Sequence, residues 1–305
     1  MIIPPYLSAG DTIAITCPSG FLAAEKTYLA QATLTAWGFN VVIGKTVGNG
    51  KYYFAGTDEE RLDELQAFLD DNRIKAILMG RGGYGMSRII DRLNFEQFVA
   101  QPKWICGFSD ITVLHSHIHQ QFGIATLHSP MCGAFKAETI NLPHILSLYD
   151  ALTGNALHYP NAGHALNRTG KASGILTGGN LAILAHLCGS DSQVDTQGKI
   201  LFIEDIGEHL YQIDRMLITL KRAGMLDHLA GLICGDFTDI EDTERPFGKT
   251  IEEIIRNQVE EYHYPVWLNF PAGHDAINYP LTLGMSHDMQ VNSDFCTLSH
   301  SAFHV

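Results

Sequence analysis

Short apolar runs alternate with stretches of helical spacing along most of the chain. Thr12-Ile-Ala-Ile-Thr-Cys17, Asn40-Val-Val-Ile43 and Ile74 to Met79 are continuous enough for strands buried on both faces. Between the first two, Ala23, Thr27, Ala30, Leu34 and Trp37 recur at helical intervals, and Gly38 is placed to end that helix. Thr57-Asp-Glu-Glu60 is a capping box, opening a helix whose apolar face is Leu62, Leu65, Phe68 and Leu69. Ser87 to Leu93 also reads as helix. Trp104 to Phe108 is a fourth strand, followed by a helical pattern in Val113, Leu114, His117 and Ile118, and Ile124-Ala-Thr-Leu127 is a fifth. Strands alternating with helices at this spacing predict an α/β fold with a doubly wound, mostly parallel sheet.

From about Tyr149 to Ser173 the pattern dissolves into Thr153-Gly-Asn, Pro160-Asn-Ala-Gly163 and Asn167-Arg-Thr-Gly170. This predicts an N-terminal domain over 1–150, a linker over 151–172 and a C-terminal β/α domain over 173–305. In the second part, Gly179 to His186 reads as helix and Ile200 to Glu204 as strand. Leu210, Ile213, Leu217 and Leu220 share one helical face, Gly231 to Cys234 is a strand, and Ile251, Ile254, Ile255 and Val259 mark another helix. Pro265-Val-Trp-Leu268 and the tail from Leu281 read as β. A chain of 305 residues is long enough for two such domains.

Composition narrows the class. With 46% hydrophobic and 17% charged residues the chain has enough apolar material for packed cores. A net charge of −13 argues against nucleic acid or an anionic membrane as partner, since both reward clustered Lys and Arg. The most apolar region, Gly174 to Cys188, is broken by Gly178, Gly179, Asn180 and His186, so no membrane span is expected. The N-terminal stretch has no basic n-region, the first lysine being Lys26, so no secretory signal is expected. The cysteines at 17, 106, 132, 188, 234 and 296 form no C-x-x-C and suit a reducing compartment.

The candidate chemistry lies where apolar runs stop. Gly107-Phe-Ser-Asp110 joins a strand to a helix through a tight turn, which leaves Ser109 beside the helix's free N–H groups. A serine there can attack a carbonyl if a base takes its proton, or Ser109 or Asp110 can simply cap the helix. Ile111 stands where the usual Gly-x-Ser-x-Gly elbow has its last glycine. Glu204 follows the run Leu201-Phe-Ile203, and His274 lies just past another strand, behind Gly273. Groups at carboxyl ends of strands converge in α/β folds, so His274 can serve as base and Glu204 can fix its tautomer. Taken singly, Glu204 can equally cap a helix, and His274 is one of 15 histidines.

Gly80-Arg-Gly-Gly-Tyr-Gly85 admits three readings. It fits the G-x-G-x-x-G dinucleotide fingerprint, although no acidic residue ends a strand about 20 residues on. It can be a bare structural turn. Its N–H groups around Gly82 and Gly83 can also join that of Asp110 to hold an oxyanion, which is the reading that shares a purpose with Ser109. Other patterns carry less. His115, His117 and His119 fall in a helix, pointing different ways, and a metal site there is not expected. Phe247-Gly-Lys-Thr250 has the end of a P-loop without its beginning, and Asp236, Asp239, Glu241 and Asp242 read as a solvated loop without EF-hand spacing.

Taken in order, Arg81-Gly-Gly-Tyr-Gly85, Gly107-Phe-Ser-Asp-Ile-Thr112, Gly178-Gly-Asn-Leu181, Phe202-Ile-Glu-Asp205 and Gly273-His274 resemble the serine LD-carboxypeptidase (muramoyltetrapeptide carboxypeptidase) family. That family also includes the microcin C immunity peptidases. The resemblance covers nearly the whole chain. It implies a serine peptidase that releases the terminal D-Ala from murein tetrapeptides during cell-wall recycling, through Ser109, Glu204 and His274 and an acyl-enzyme. It further implies a cytoplasmic homodimer without metal or nucleotide cofactor, and a smaller second domain supplying Glu and His, with the active site between the domains. N–H groups of Gly83 and Asp110 are the expected oxyanion donors. Arg81 and Tyr84 are the expected substrate contacts, Arg81 as a partner for the terminal carboxylate. The alternatives are a microcin-type peptidase acting on an acyl-sulfamoyl adenylate and, further off, a nucleotide-dependent oxidoreductase using the Gly80–Gly85 loop.

Overall fold

A computed structural model describes residues 1–160 and 163–300. The chain forms two compact units, Met1–Ala156 with Tyr279–Thr282, and Leu157–Asn278 with Leu283–Val305. No helix among the described residues is long and apolar enough to cross a membrane.

In the first unit β1 (Thr12–Thr16) leads through one 3-10 turn into α1 (Tyr28–Ala36), then β2 (Asn40–Ile43), α2 (Asp58–Asp70), β3 (Ile74–Met79), α3 (Glu96–Ala100), β4 (Trp104–Gly107), α4 (Thr112–Phe122), β5 (Thr126–His128) and α5 (Pro143–Thr153). β1 pairs in parallel with β2 and β3, β3 with β4, and β4 with β5. The second unit holds β6 (Gly170–Asn180), α6 (Leu181–His186), β7 (Ile200–Ile206), α7 (Leu210–Arg222), β8 (Gly231–Thr238), α8 (Ile251–Gln258) and β9 (Val266–Trp267). Of the last strands, β10 (Leu281–Leu283) joins the first sheet, whereas β11 (Ser286–Val291) and β12 (Cys296–His300) extend the second. The sheet orders are β10-β5-β4-β3-β1-β2 and β12-β11-β6-β7-β8-β9. β6 to β9 run parallel, and β11 returns antiparallel beside β6. The expected mixed α/β architecture is therefore present in both units.

The local causes are mostly those read from the sequence. β3 and β4 lie inside the first sheet and are buried almost throughout, while β2, at its edge, is only partly covered. α2 opens on the capping box of Thr57 and Glu60. In the second unit Leu201, Ile203, Ile213, Leu217, Leu232 and Ile254 share one core.

Three expectations change. Residues 87–93 form two 3-10 turns, Met86–Arg88 and Ile90–Arg92, instead of an α-helix. Met86, Ile89 and Ile90 are buried there, so the apolar spacing is real, while Arg88 and Arg92 reach Asp58 and Glu59 on α2. The irregular stretch is shorter than 149–173, because α5 continues to Thr153 and β6 begins at Gly170. Asn161 and Ala162 of the expected linker lie outside the described residues. β6 itself reads as loop and helix in the sequence because Gly170, Gly174, Gly178 and Gly179 interrupt it. Those gaps are structural: a Cβ on Gly178 would stand 2.0 Å from the carbonyl oxygen of Phe202 on β7.

Candidate active site

β4 ends at Gly107, and Ser109 opens a 3-10 turn that runs directly into α4. Ser109 is half-buried and has φ 64°, a left-handed conformation uncommon for a residue with a Cβ. Neither Ser109 nor Asp110 caps a helix, since no side-chain cap bond is made at either start. The capping reading is therefore excluded, and the strained serine needs another account. The Asp110 carboxylate turns back instead: its Oδ2 accepts from Ser19 Oγ at 2.5 Å and from the Met86 N–H at 2.8 Å. It thus ties the Ser109 turn to the end of the Gly80–Gly85 loop. Burial pushes this carboxyl up, against the pull of those hydrogen bonds and of Arg61.

The glycine loop is shaped for close approach. Gly82 packs directly on Ser109, and its carbonyl accepts from the Gly20 N–H at 3.0 Å. Gly83 and Gly85 have φ 98° and 151°. Because 3-10 turns follow the loop, there is no α-helix N-terminus after it to receive a pyrophosphate, which counts against the dinucleotide reading. Arg81 is exposed and donates from Nη1 to the Phe21 carbonyl at 2.9 Å, and Tyr84 is exposed beside Phe54.

In the second unit, β7 carries Glu204 and Asp205 on opposite faces. Asp205 accepts from Asn180 Nδ2 at 2.9 Å and from the Ala182 N–H at 2.9 Å, so it secures the start of α6. Glu204 is fully buried, and its Oε2 accepts from His274 Nδ1 at 2.6 Å across a sequence separation of 70. With its proton on Nδ1, His274 presents Nε2 as a base. Burial opposes a charge on His274, but the hydrogen bond and charge of Glu204, aided by Asp205 and Asp236, hold the imidazole above its ordinary value. The structure thus brings together Glu204 and His274 in one unit, and Ser109, Gly82, Gly83 and Asp110 in the other.

Asp236 belongs to this second cluster, although the sequence reads it as solvated loop. It is half-buried on β8, its Oδ2 is buried without a hydrogen-bond partner, and its N–H donates to the Ala272 carbonyl at 2.9 Å. Burial, then Asp275 and Glu204, push its carboxyl up to about 7. The available signal was its place just beyond the apolar run Gly231–Cys234, the same placement that marks Glu204. The other patterns have local roles. Thr250 caps α8, His115 bonds the Gly107 carbonyl, and His119 bonds Thr126.

Two family models match this chain, the LD-carboxypeptidase N-terminal domain over residues 13–129 and the LD-carboxypeptidase C-terminal domain over 173–289. The chain belongs to the LD-carboxypeptidase family, and so to the hydrolases of serine carboxypeptidase type. A probable murein peptide carboxypeptidase of Bacillus subtilis is 34% identical over 92% of this chain and 89% of its own. The crystal structure of muramoyltetrapeptide carboxypeptidase from Oxalobacter formigenes, 26% identical, covers 96% of this chain and 100% of its own at a TM-score of 0.84. A microcin C7 self-immunity protein in complex with aspartyl sulfamoyl adenosine shares the fold at 22% identity and a TM-score of 0.85, with 99% of both chains covered.

Proposed function

We propose that this protein is an LD-carboxypeptidase that removes the terminal D-Ala from murein tetrapeptides in cytoplasmic wall recycling, acting as a homodimer. The reading is carried by the Glu204–His274 pair, a buried carboxylate orienting an imidazole whose Nε2 can act as a base. The left-handed Ser109, packed against a glycine loop, supplies the matching nucleophile.

In this mechanism His274 Nε2 takes the Ser109 proton as Oγ attacks the carbonyl of the third residue. The N–H groups of Gly83 and Asp110 hold the oxyanion, and Arg81 and Tyr84 contact the substrate. His274 then protonates the departing D-Ala amine, and water, activated by the same imidazole, releases the tripeptide from the acyl-enzyme. Glu204 stabilises the imidazolium at both steps.

The test is mass spectrometry of L-Ala-γ-D-Glu-meso-diaminopimelate-D-Ala incubated with the wild type and with Ser109→Ala. Loss of one alanine with the wild type alone supports the reading. An intact tetrapeptide with both, alongside cleavage of an aminoacyl sulfamoyl adenylate, selects the microcin-type alternative.

A further inference from the structure

The pairing of β7 with β8 slips where Glu204 lies. Ile203 faces Cys234, but Asp205 faces Phe237, so Gly235 and Asp236 together stand opposite the single residue Glu204. This is a β-bulge, and a bulge re-aims the side chain of the extra residue. The bulge also seats the segment that carries His274. A Cβ on Gly235 would stand 2.1 Å from the Ala272 carbonyl oxygen, and one on Gly273 (φ 146°) would stand 3.1 Å from the Asp236 Cβ and 3.2 Å from its nitrogen. The Asp236 N–H closes this contact by donating to the Ala272 carbonyl at 2.9 Å. On the other side of that turn, the Gly273 N–H donates to Asn278 Oδ1 at 3.2 Å.

We propose that Asp236 is a second positioning residue for His274. It fixes the Ala272–Gly273 backbone through the bulge and places a second carboxylate against the imidazole that Glu204 orients. The inference rests on His274 being the base of the proposed reaction. Its electrostatic part follows from the neighbours. Glu204 and Asp205 from β7 and Asp236 from β8 all act on His274, and Asp275, on the histidine's own loop, acts on Asp236. Asp236 and His274 each favour the charged form of the other. When His274 takes up a proton, the imidazolium favours the ionised form of Asp236, so compensating charge appears as the transition state requires it. Glu204 supplies the other part of that compensation, through its hydrogen bond to Nδ1.

The deciding variant is Asp236→Asn, which keeps the backbone contacts and the side-chain shape but removes the charge. Imidazole NMR titration of His274 reads the effect without any substrate. The pKa of His274 is expected to fall in Asp236→Asn, and an unmoved value overturns the proposal. On the tetrapeptide, kcat is expected to drop about 3- to 10-fold with KM little changed, well short of the 10²–10⁴ lost with a general base. The acid limb of kcat/KM is expected to move to lower pH. Asp236→Glu should restore part of both, which a merely structural role at the bulge does not predict. A shifted imidazole titration with an unshifted acid limb and full kcat removes Asp236 from the mechanism. If the wild type fails to cut the tetrapeptide, the proposed function fails, while the NMR titration still decides the contact.

Discussion

Gly82 and Ser109 are packed so closely that a Cβ on the glycine would stand 2.9 Å from the serine Cβ and 3.1 Å from its Oγ. The Phe108 carbonyl oxygen would be 3.3 Å away, so the intruding methyl meets backbone as well as side chain. Gly82→Ala must therefore displace Ser109 or the loop. Such a shift near a reacting atom costs on the order of 10² in kcat, and overpacking costs about 1–3 kcal/mol in stability. Steady-state turnover and denaturant unfolding measure the two effects. Turnover within twofold of wild type would mean that the Gly80–Gly85 loop does not position Ser109 for the proposed reaction.

The backbone of Ser109 leads to a prediction of opposite sign. Its φ of 64° is strained for a residue with a Cβ and free for glycine. Ser109→Gly should abolish turnover yet match or exceed wild-type stability, by up to about 1 kcal/mol. Ser109→Ala, which keeps the strain, should stay near wild type. A clear loss of stability in Ser109→Gly would show that the turn needs the serine side chain for folding, and the strain would then have no functional meaning.

These local features explain what the sequence makes legible. β3 begins and ends where its apolar run does, because a buried parallel strand needs nothing but apolar side chains. Ser109 and Glu204 stand out for a related reason, each being a polar residue where such a run stops. What escapes is set by tertiary contact. β6 hides behind its glycines because their reasons lie far along the chain, that for Gly178 being the Phe202 backbone, 24 positions away. Asp236 hides because the bulge that sets it opposite Glu204 exists only in the pairing with β7. No local pattern announces that Glu204 and His274 meet.

The Glu204–His274 pair fixes the direction of the pH response. As the proposed base, His274 works only when neutral, and its pKa is held above the ordinary imidazole value by Glu204 against the effect of burial. Activity should therefore fall as pH drops through that raised value, giving kcat/KM an acid limb above pH ~6.5. Glu204→Gln removes the charge and leaves burial acting, so the limb should move to lower pH while kcat falls by roughly 10²–10⁴. A pH–rate profile of both proteins checks this. An acid limb that stays in place in Glu204→Gln would detach Glu204 from the titrating base.

His115 predicts a separate acid sensitivity in the first unit. It is buried under β4, and its Nε2–H donates to the Gly107 carbonyl at 2.9 Å, leaving Nδ1 buried without a partner. A second proton would have to sit on Nδ1, and burial accordingly holds this imidazole down to about 4. Between that value and the unfolded one near 6.5, the unfolded chain binds more protons than the native one. The stability contributed is thus complete above pH ~6.5 and is lost as pH falls toward ~4, about 2 kcal/mol of it by pH 5. His287 in the second unit is depressed by burial in the same direction, so the wild-type curve alone does not isolate His115. His115→Gln does, because the amide can still donate to Gly107 and cannot titrate. Urea unfolding at pH 7.5 and pH 5 should show a smaller stability loss in His115→Gln than in the wild type, by about 1–2 kcal/mol. An equal loss in both proteins would mean that His115 is not protonated on unfolding in this range, and the acid sensitivity of the first unit would have to arise elsewhere.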